Sequence, residues 1–180
     1  MTTNTYHFWE KHWQEALTAS PMRRRRHGEA MTRWNKMAGD FAERTGDKEN
    51  NDKREKILAW LRDSGALFPG ARTVDIGAGP GNWAIPLAEA GAEVVALEPA
   101  LGMIEILRRR IADSQANVTI HQATWQEIDL EVLGWRSGFD LVFASMTPGV
   151  DGPEMLYKML AAAKDSGAFC YLSAFAGRAW

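Results

Sequence analysis

Val74-Asp75-Ile76-Gly77-Ala78-Gly79-Pro80-Gly81-Asn82 (VDIGAGPGN) joins a strand-like apolar run to a helix-like one through three glycines at alternate positions. Glycine reaches positive φ without a steric penalty and lets a ligand approach the backbone without meeting a Cβ. The N-terminus of a following helix presents unpaired N–H groups, which favour a carboxylate or phosphate. Glu98 closes the next strand-like run, about 20 residues on, where an acidic side chain can accept both hydroxyls of a ribose. Charge-assisted hydrogen bonds of that kind contribute roughly 1.5–3 kcal/mol each.

The loop fits a dinucleotide fingerprint in only one of two registers. Starting at Gly77, the last position is Asn82, a mismatch; starting at Gly79, Gly-Pro-Gly-Asn-Trp-Ala matches G-x-G-x-x-A. Asp75 separates the two readings. A carboxylate just ahead of the glycines repels a pyrophosphate but suits a ligand with an ammonium group, such as the methionine part of S-adenosylmethionine (SAM).

Outward from the loop, strand-like and helix-like runs alternate. Strands are expected at Thr73 to Ile76, Glu93 to Leu97, Val118 to His121, Asp140 to Ala144 and Ala168 to Phe175. Helices are expected at Lys56 to Ser64 (Ile57, Trp60 and Leu61 inward), Asn82 to Ala90, Leu101 to Ala112 and Glu154 to Lys164. Such alternation implies βαβ crossovers, a parallel sheet and helices on both faces. Residues 1–53 differ in texture: they are polar, charged in blocks and rich in Trp and Met. Two apolar helical stripes run there, Trp9-Trp13-Ala16-Leu17 and Ala30-Trp34-Met37-Ala38-Phe41, so an N-terminal helical cap is expected ahead of a domain at 54–180.

The 180 residues are 46% hydrophobic, which excludes intrinsic disorder and suffices for one core. A single cysteine, Cys170, excludes a disulfide scaffold and points to a reducing, cytoplasmic setting. No apolar run is long enough for a membrane span, and the N-terminus lacks the apolar core of a signal peptide. A formal net charge of −2 argues against a surface built wholly for polyanions. No Cys lies near His7, His12 or His27 and no H-x-x-x-H occurs, so no metal site is expected.

VDIGAGPGNWAIPLAEAGAEVVALEPALGMIEILRRR resembles the class I SAM-dependent methyltransferases. The resemblance covers about residues 54 to 175 and rests on the acidic residue with its spaced glycines, the acidic end of strand two, the following Pro99, Met103 and Ile104, and the segment FDLVFASMT. It implies a doubly wound, mostly parallel Rossmann-like α/β sheet of strand order 3-2-1-4-5. It also implies SAM as cofactor, with S-adenosylhomocysteine as product. Residue by residue, it implies that Asp75 holds the SAM amino group, directly or through water. Gly77 and Gly79 pass beneath the methionine part, Ala78 and Gly81 belong to the same cofactor-binding loop, and Glu98 holds the ribose. Pro99 and Met103 flank the adenine, Thr124 and Trp125 contact its amino group and ring, and Ser145 faces the methyl donor. For Trp125 the plainer alternative is a hydrophobic plug over the sheet edge, and for Ser145 a polar strand end.

No catalytic signature is legible. Strand four ends in Ser145-Met146-Thr147-Pro148-Gly149, without the Asn/Asp-Pro-Pro-aromatic motif of many amino methyltransferases. No cysteine occupies a nucleophile position, which argues against the cysteine-dependent C5 enzymes of cytosine and uridine. The expected acceptor is a small molecule. An RNA acceptor gripped by Arg23 to Arg26 is the first alternative, and a NAD(P)-type dinucleotide-binding protein the second. The family sheet usually carries two further strands after strand five. The expectation is therefore a fragment, a homodimer through the open edge of strand five, or a partner that supplies those strands.

Overall fold

The computed structural model describes residues 11, 27–44 and 48–172. The first helical stripe, the arginine run, His7, His12 and Trp180 lie outside the described residues. Five parallel strands form one sheet: β1 (Arg72–Ile76), β2 (Glu93–Leu97), β3 (Val118–His121), β4 (Phe139–Ser145) and β5 (Ala163–Leu172), in the order β3-β2-β1-β4-β5. The helices are α1 (His27–Arg44), α2 (Lys48–Asp63), α3 (Ala84–Glu89), α4 (Leu101–Ser114) and α5 (Pro153–Ala162). None is long and apolar enough to cross a membrane.

Side chains alternate across a strand, so a sheet covered on both faces must be apolar on both. Val74 and Ile76 of β1, with Val142 and Ala144 of β4, meet Met155 and Met159 of α5 on one face. Leu141 and Phe143 of β4 meet Leu58 and Leu61 of α2, Leu87 of α3 and Leu107 of α4 on the other. No described helix joins β3 to β4. That connection is anchored by Trp125, Ile128, Leu130 and Trp135, all buried. The Trp135 ring meets Phe139 edge-on at 5.3 Å.

Two expectations change. α2 starts at Lys48, eight residues ahead of the expected Lys56, so the expected boundary at residue 53 falls inside one helix. Its inward face is Leu58 and Leu61, whereas Trp60 is 58% exposed. β5 starts at Ala163, five residues before the expected Ala168. Phe139 pairs with Ala163 and Leu141 with Ala168, so β5 carries an irregularity through Lys164–Gly167. Lys164, expected to end the preceding helix, lies in the strand, where its Nζ reaches both carboxylate oxygens of Asp140, at 2.8 and 2.9 Å.

α1 packs on α4. Ala38 is buried against Ala100 and Met103, with Trp34 and Phe41 beside them. The Gly102 N–H at the start of α4 donates to Asn35 Oδ1 at 2.9 Å, so α1 caps the helix it lies on. Arg110 of α4 donates to the Ala42 carbonyl and, in the glycine loop, to Pro80 O and Asn82 Oδ1. Losing an N-terminal cap costs about 1 kcal/mol. Asn35→Ala is expected to lower unfolding stability by that amount in a urea titration; an unchanged midpoint would show that α1 is held by packing alone.

Candidate functional site

The carboxyl ends of four strands open into one cavity of about 520 Å³. The loop after β1 gives Gly77, Ala78, Gly79 and Pro80, and β2 gives Glu98 and Pro99. Ser145 to Gly149 follow β4, and Leu172 ends β5. Ala123 to Gln126 close one side, Trp34, Phe41 and Met103 another, and Lys53, Arg54 and Ile57 of α2 lie over the loop side. Open parallel sheets bind ligands at this place, outside the carboxyl ends of the strands where the order reverses.

Glu98 is 6% exposed. Its Oε2 accepts the Gly79 N–H at 2.9 Å and its Oε1 the Ala100 N–H at 2.8 Å. Burial raises its pKa, and the two N–H groups partly offset that. Each carboxylate oxygen can accept more than one hydrogen bond, so the bonds that orient Glu98 leave acceptor capacity for a ligand.

Asp75 sits beneath the loop, 1% exposed, and does not line the cavity. It accepts the Ala84 backbone N–H, which ties the strand to the start of α3. Its Oδ2 is buried without a hydrogen-bond partner. Burial first, and then the charge of Glu98, push its pKa up to about 7. Two buried carboxylates therefore lie close enough for the charge of one to disfavour ionisation of the other. Gly81 also stays off the cavity, turned into the core against Leu107 and Ile85.

Thr124 lines the cavity, but its polar groups are engaged. Its N–H and its hydroxyl each lie 2.8 Å from Glu127 Oε2, and the Glu127 N–H points back at its hydroxyl oxygen. This is a capping box, legible as Thr-x-x-Glu at 124–127. Those bonds hold the Glu127 carboxyl below its usual range. Trp125 is 1% exposed, with its indole N–H on the Met155 carbonyl at 3.2 Å and Lys158 Nζ 5.0 Å from its ring centroid. The ring is therefore part of the cavity floor as well as the core. Ser145 lines the cavity at the end of β4.

Several lining residues carry no sequence signal. Gln126 Nε2 donates to the Gly149 carbonyl at 3.0 Å, joining the two loops that flank the mouth. Trp83 stands on Phe143, rings 4.8 Å apart, with the Arg54 guanidinium 5.8 Å above it. Burial and the nearby Arg110 lower the Arg54 pKa. Met146 is 64% exposed and left-handed, with φ 53°. Its N–H donates to the Leu172 carbonyl at 2.8 Å, so the ends of β4 and β5 turn together toward the cavity. Strained backbone of this type gathers at ligand sites. Among the described residues no group of His, Cys, Asp and Glu could hold a metal ion.

Known proteins agree with this geometry. Residues 73–167 match the family model described as a methyltransferase domain. The chain is 43% identical over 70 residues to a 23S rRNA (uracil(1939)-C(5))-methyltransferase RlmD of Halomonas elongata, covering 38% of this chain and 14% of that protein. It is 43% identical over 57 residues to a demethylmenaquinone methyltransferase of Renibacterium salmoninarum, covering 30% of this chain and 24% of that protein. These matches span at most about a quarter of the length of those relatives. The structure of magnesium protoporphyrin IX methyltransferase from Synechocystis with bound S-adenosylhomocysteine superposes with a TM-score of 0.60 at 21% identity, covering 77% of this chain and 68% of that one. With more than half its length matched by the family model, the strand order 3-2-1-4-5 and the glycine loop beside Glu98, the chain belongs to the methyltransferase domain family and has the Rossmann-like fold of class I SAM-dependent methyltransferases.

Proposed function

We propose that the chain binds SAM across the carboxyl ends of β2, β1 and β4 and directs its methyl group to a small-molecule acceptor. The observation that carries this reading is the Glu98 carboxylate, oriented by the Gly79 and Ala100 N–H groups at the edge of an open cavity. In this reading Glu98 takes the ribose hydroxyls, and Pro99 and Met103 bound the adenine with Ala123 and Thr124. Gly79 passes beneath the methionine part with Gly77 and Ala78. Asp75, one layer below, acts on the ammonium group through its charge, directly or through water. Lys53 and Arg54 on α2 supply positive charge for the carboxylate of the same ligand. The site suits a cation: two buried carboxylates, one with an unpartnered oxygen, gain from positive charge nearby.

When bound, SAM supplies a methyl group on a positively charged sulfur, open to attack from the side opposite the sulfur. The chain's part is to orient the two ligands and exclude water. Ser145 lies where β4 ends beside the glycine loop, and its hydroxyl, with that of Thr147 against Gly77, is placed to position an acceptor there. α1, with Trp34 and Phe41, forms part of the wall and serves as the cap of the expected 1–53 region.

A relative named for uracil C5 methylation favours an RNA acceptor as second reading. That chemistry needs a thiolate to add to the base. Cys170 is buried on β5, its pKa raised by burial, and it does not line the cavity. The small-molecule reading therefore stands first. For the cofactor, Glu98→Gln keeps a planar acceptor but removes the charge, and the amide can no longer satisfy both N–H groups. Calorimetry with SAM is expected to give an affinity roughly tenfold to a hundredfold weaker, the loss of a charge-assisted pair. Unchanged affinity, or tight NAD binding by the parent chain, would overturn the assignment.

A further inference from the structure

The strand ends lie about 4.8 Å apart, so the crevice from Glu98 on β2 to Leu172 on β5 runs roughly 14 Å. If the nucleoside end is fixed at Glu98, as the proposed function has it, the β4–β5 end belongs to the acceptor. That end is walled by Ile57, Trp83, Met146, Pro148 and Leu172, with the Ser145 hydroxyl among them. It offers apolar surface and the hydroxyls of Ser145 and Thr147, the latter accepting the Gly149 N–H, with the Arg54 guanidinium over the far side of Trp83.

What the wall lacks among the described residues is equally specific. The cavity-lining carboxylate is Glu98, at the other end, and no histidine lines the cavity. A protonated amine would find no counter-charge here and no base to free its electron pair. A polyanion would meet only Lys53 and Arg54, the charges that the proposed function already assigns to the carboxylate of SAM, and would leave water for a wall that is otherwise apolar. A flat, electron-rich ring loses nothing by burial and carries its own nucleophile.

We infer that the acceptor half of this cavity takes an uncharged hydroxylated aromatic ring, held between Trp83, Met146 and Leu172 with its oxygen at Ser145. The ring supplies the electron pair for the new bond to the methyl carbon. The carbon–sulfur bond breaks with its pair left on sulfur, and the proton displaced from the acceptor passes to water. Among the described residues the wall offers no side chain to take that proton.

The test is calorimetry in two stages on the full chain. SAM and S-adenosylhomocysteine are titrated first. The chain loaded with S-adenosylhomocysteine is then titrated with 1,4-dihydroxynaphthalene kept reduced by ascorbate, with ethanolamine, and with an oligouridylate. Binding of the naphthalenediol alone is the expected result. Met146→Asp places a charge in the wall at an exposed position whose left-handed backbone Asp tolerates. It is expected to weaken the diol at least about tenfold while SAM affinity stays within about twofold. Preference for ethanolamine or oligouridylate, or diol affinity unmoved by Met146→Asp, would overturn this inference and leave the cofactor reading standing. Failure of SAM to bind in the first stage would overturn both.

Discussion

Gly79→Val is expected to leave the chain folded but unable to bind SAM, whereas Gly81→Val is expected to unfold it more readily. Both glycines are left-handed, with φ of 56° and 88°, so each replacement carries a backbone cost of about 1–2 kcal/mol. Their surroundings differ. A Cβ on Gly79 would meet only the Phe41 ring, at 4.0 Å, because that side of the residue opens to the cavity. A Cβ on Gly81 would lie 2.5 Å from Leu107 Cδ1 and 3.1 Å from Ile85 Cδ1. Leu107 is fully buried and has no room to yield, so overpacking adds about 1–3 kcal/mol. The Gly81 variant should therefore lose about 2–5 kcal/mol, at roughly 2–4 °C in melting temperature per kcal/mol for a chain of this size. Calorimetry and thermal melts on both variants read the difference. Equal melting temperatures would mean that Gly81 is no tighter than Gly79. Retained SAM binding by the Gly79 variant would mean that the cofactor does not cross the loop.

Asp75→Asn should stabilise the ligand-free chain and weaken SAM binding at once. The folded pKa is about 7, against 3.8 for the unfolded carboxyl. Below the unfolded value both states are protonated and the group contributes nothing. As pH rises from there to about 7, the unfolded chain releases the proton and the folded chain keeps it, so stability falls. Above that both are ionised and the full penalty is present, on the order of 4 kcal/mol from about 3 pKa units at 1.36 kcal/mol each. The advantage of the asparagine variant should thus grow from pH 5 to pH 8 in urea unfolding and level off beyond. A positively charged ligand should reverse the sign by drawing both Asp75 and Glu98 to their ionised forms. A variant that melts with the parent at pH 8 would show that the carboxylate is solvated through a path other than the cavity.

The arrangement asks much of few residues. Glu98 holds the loop and retains capacity for a ligand; Asp75 holds the start of α3 and loads the region with negative charge. Removing either changes the fold's stability and the site together. For that reason the paired measurements above, binding beside unfolding, carry more than activity alone.

The alternation of apolar runs with glycine and proline is enough to set a parallel sheet with crossovers. Asp75, Gly77, Gly79 and Glu98 are legible because their chemistry depends on spacing within one βαβ unit, where about 20 residues of chain fix which ends meet. The Thr-x-x-Glu box at 124–127 is local in the same sense. Tertiary structure decided what depends on contact between distant segments. That Gly81 faces the core and Gly79 the cavity follows from where α4 packs. That Asp75 lies under the loop, off the cavity wall, follows from the start of α3 above it. The early start of β5 comes with pairing of Ala163 to Phe139 and with the contact of Lys164 to Asp140, 24 residues away in sequence. The wall of Ile57, Trp83, Met146 and Leu172 is drawn from two elements and two loops, and no periodicity within any one of them could announce that their side chains share a cavity.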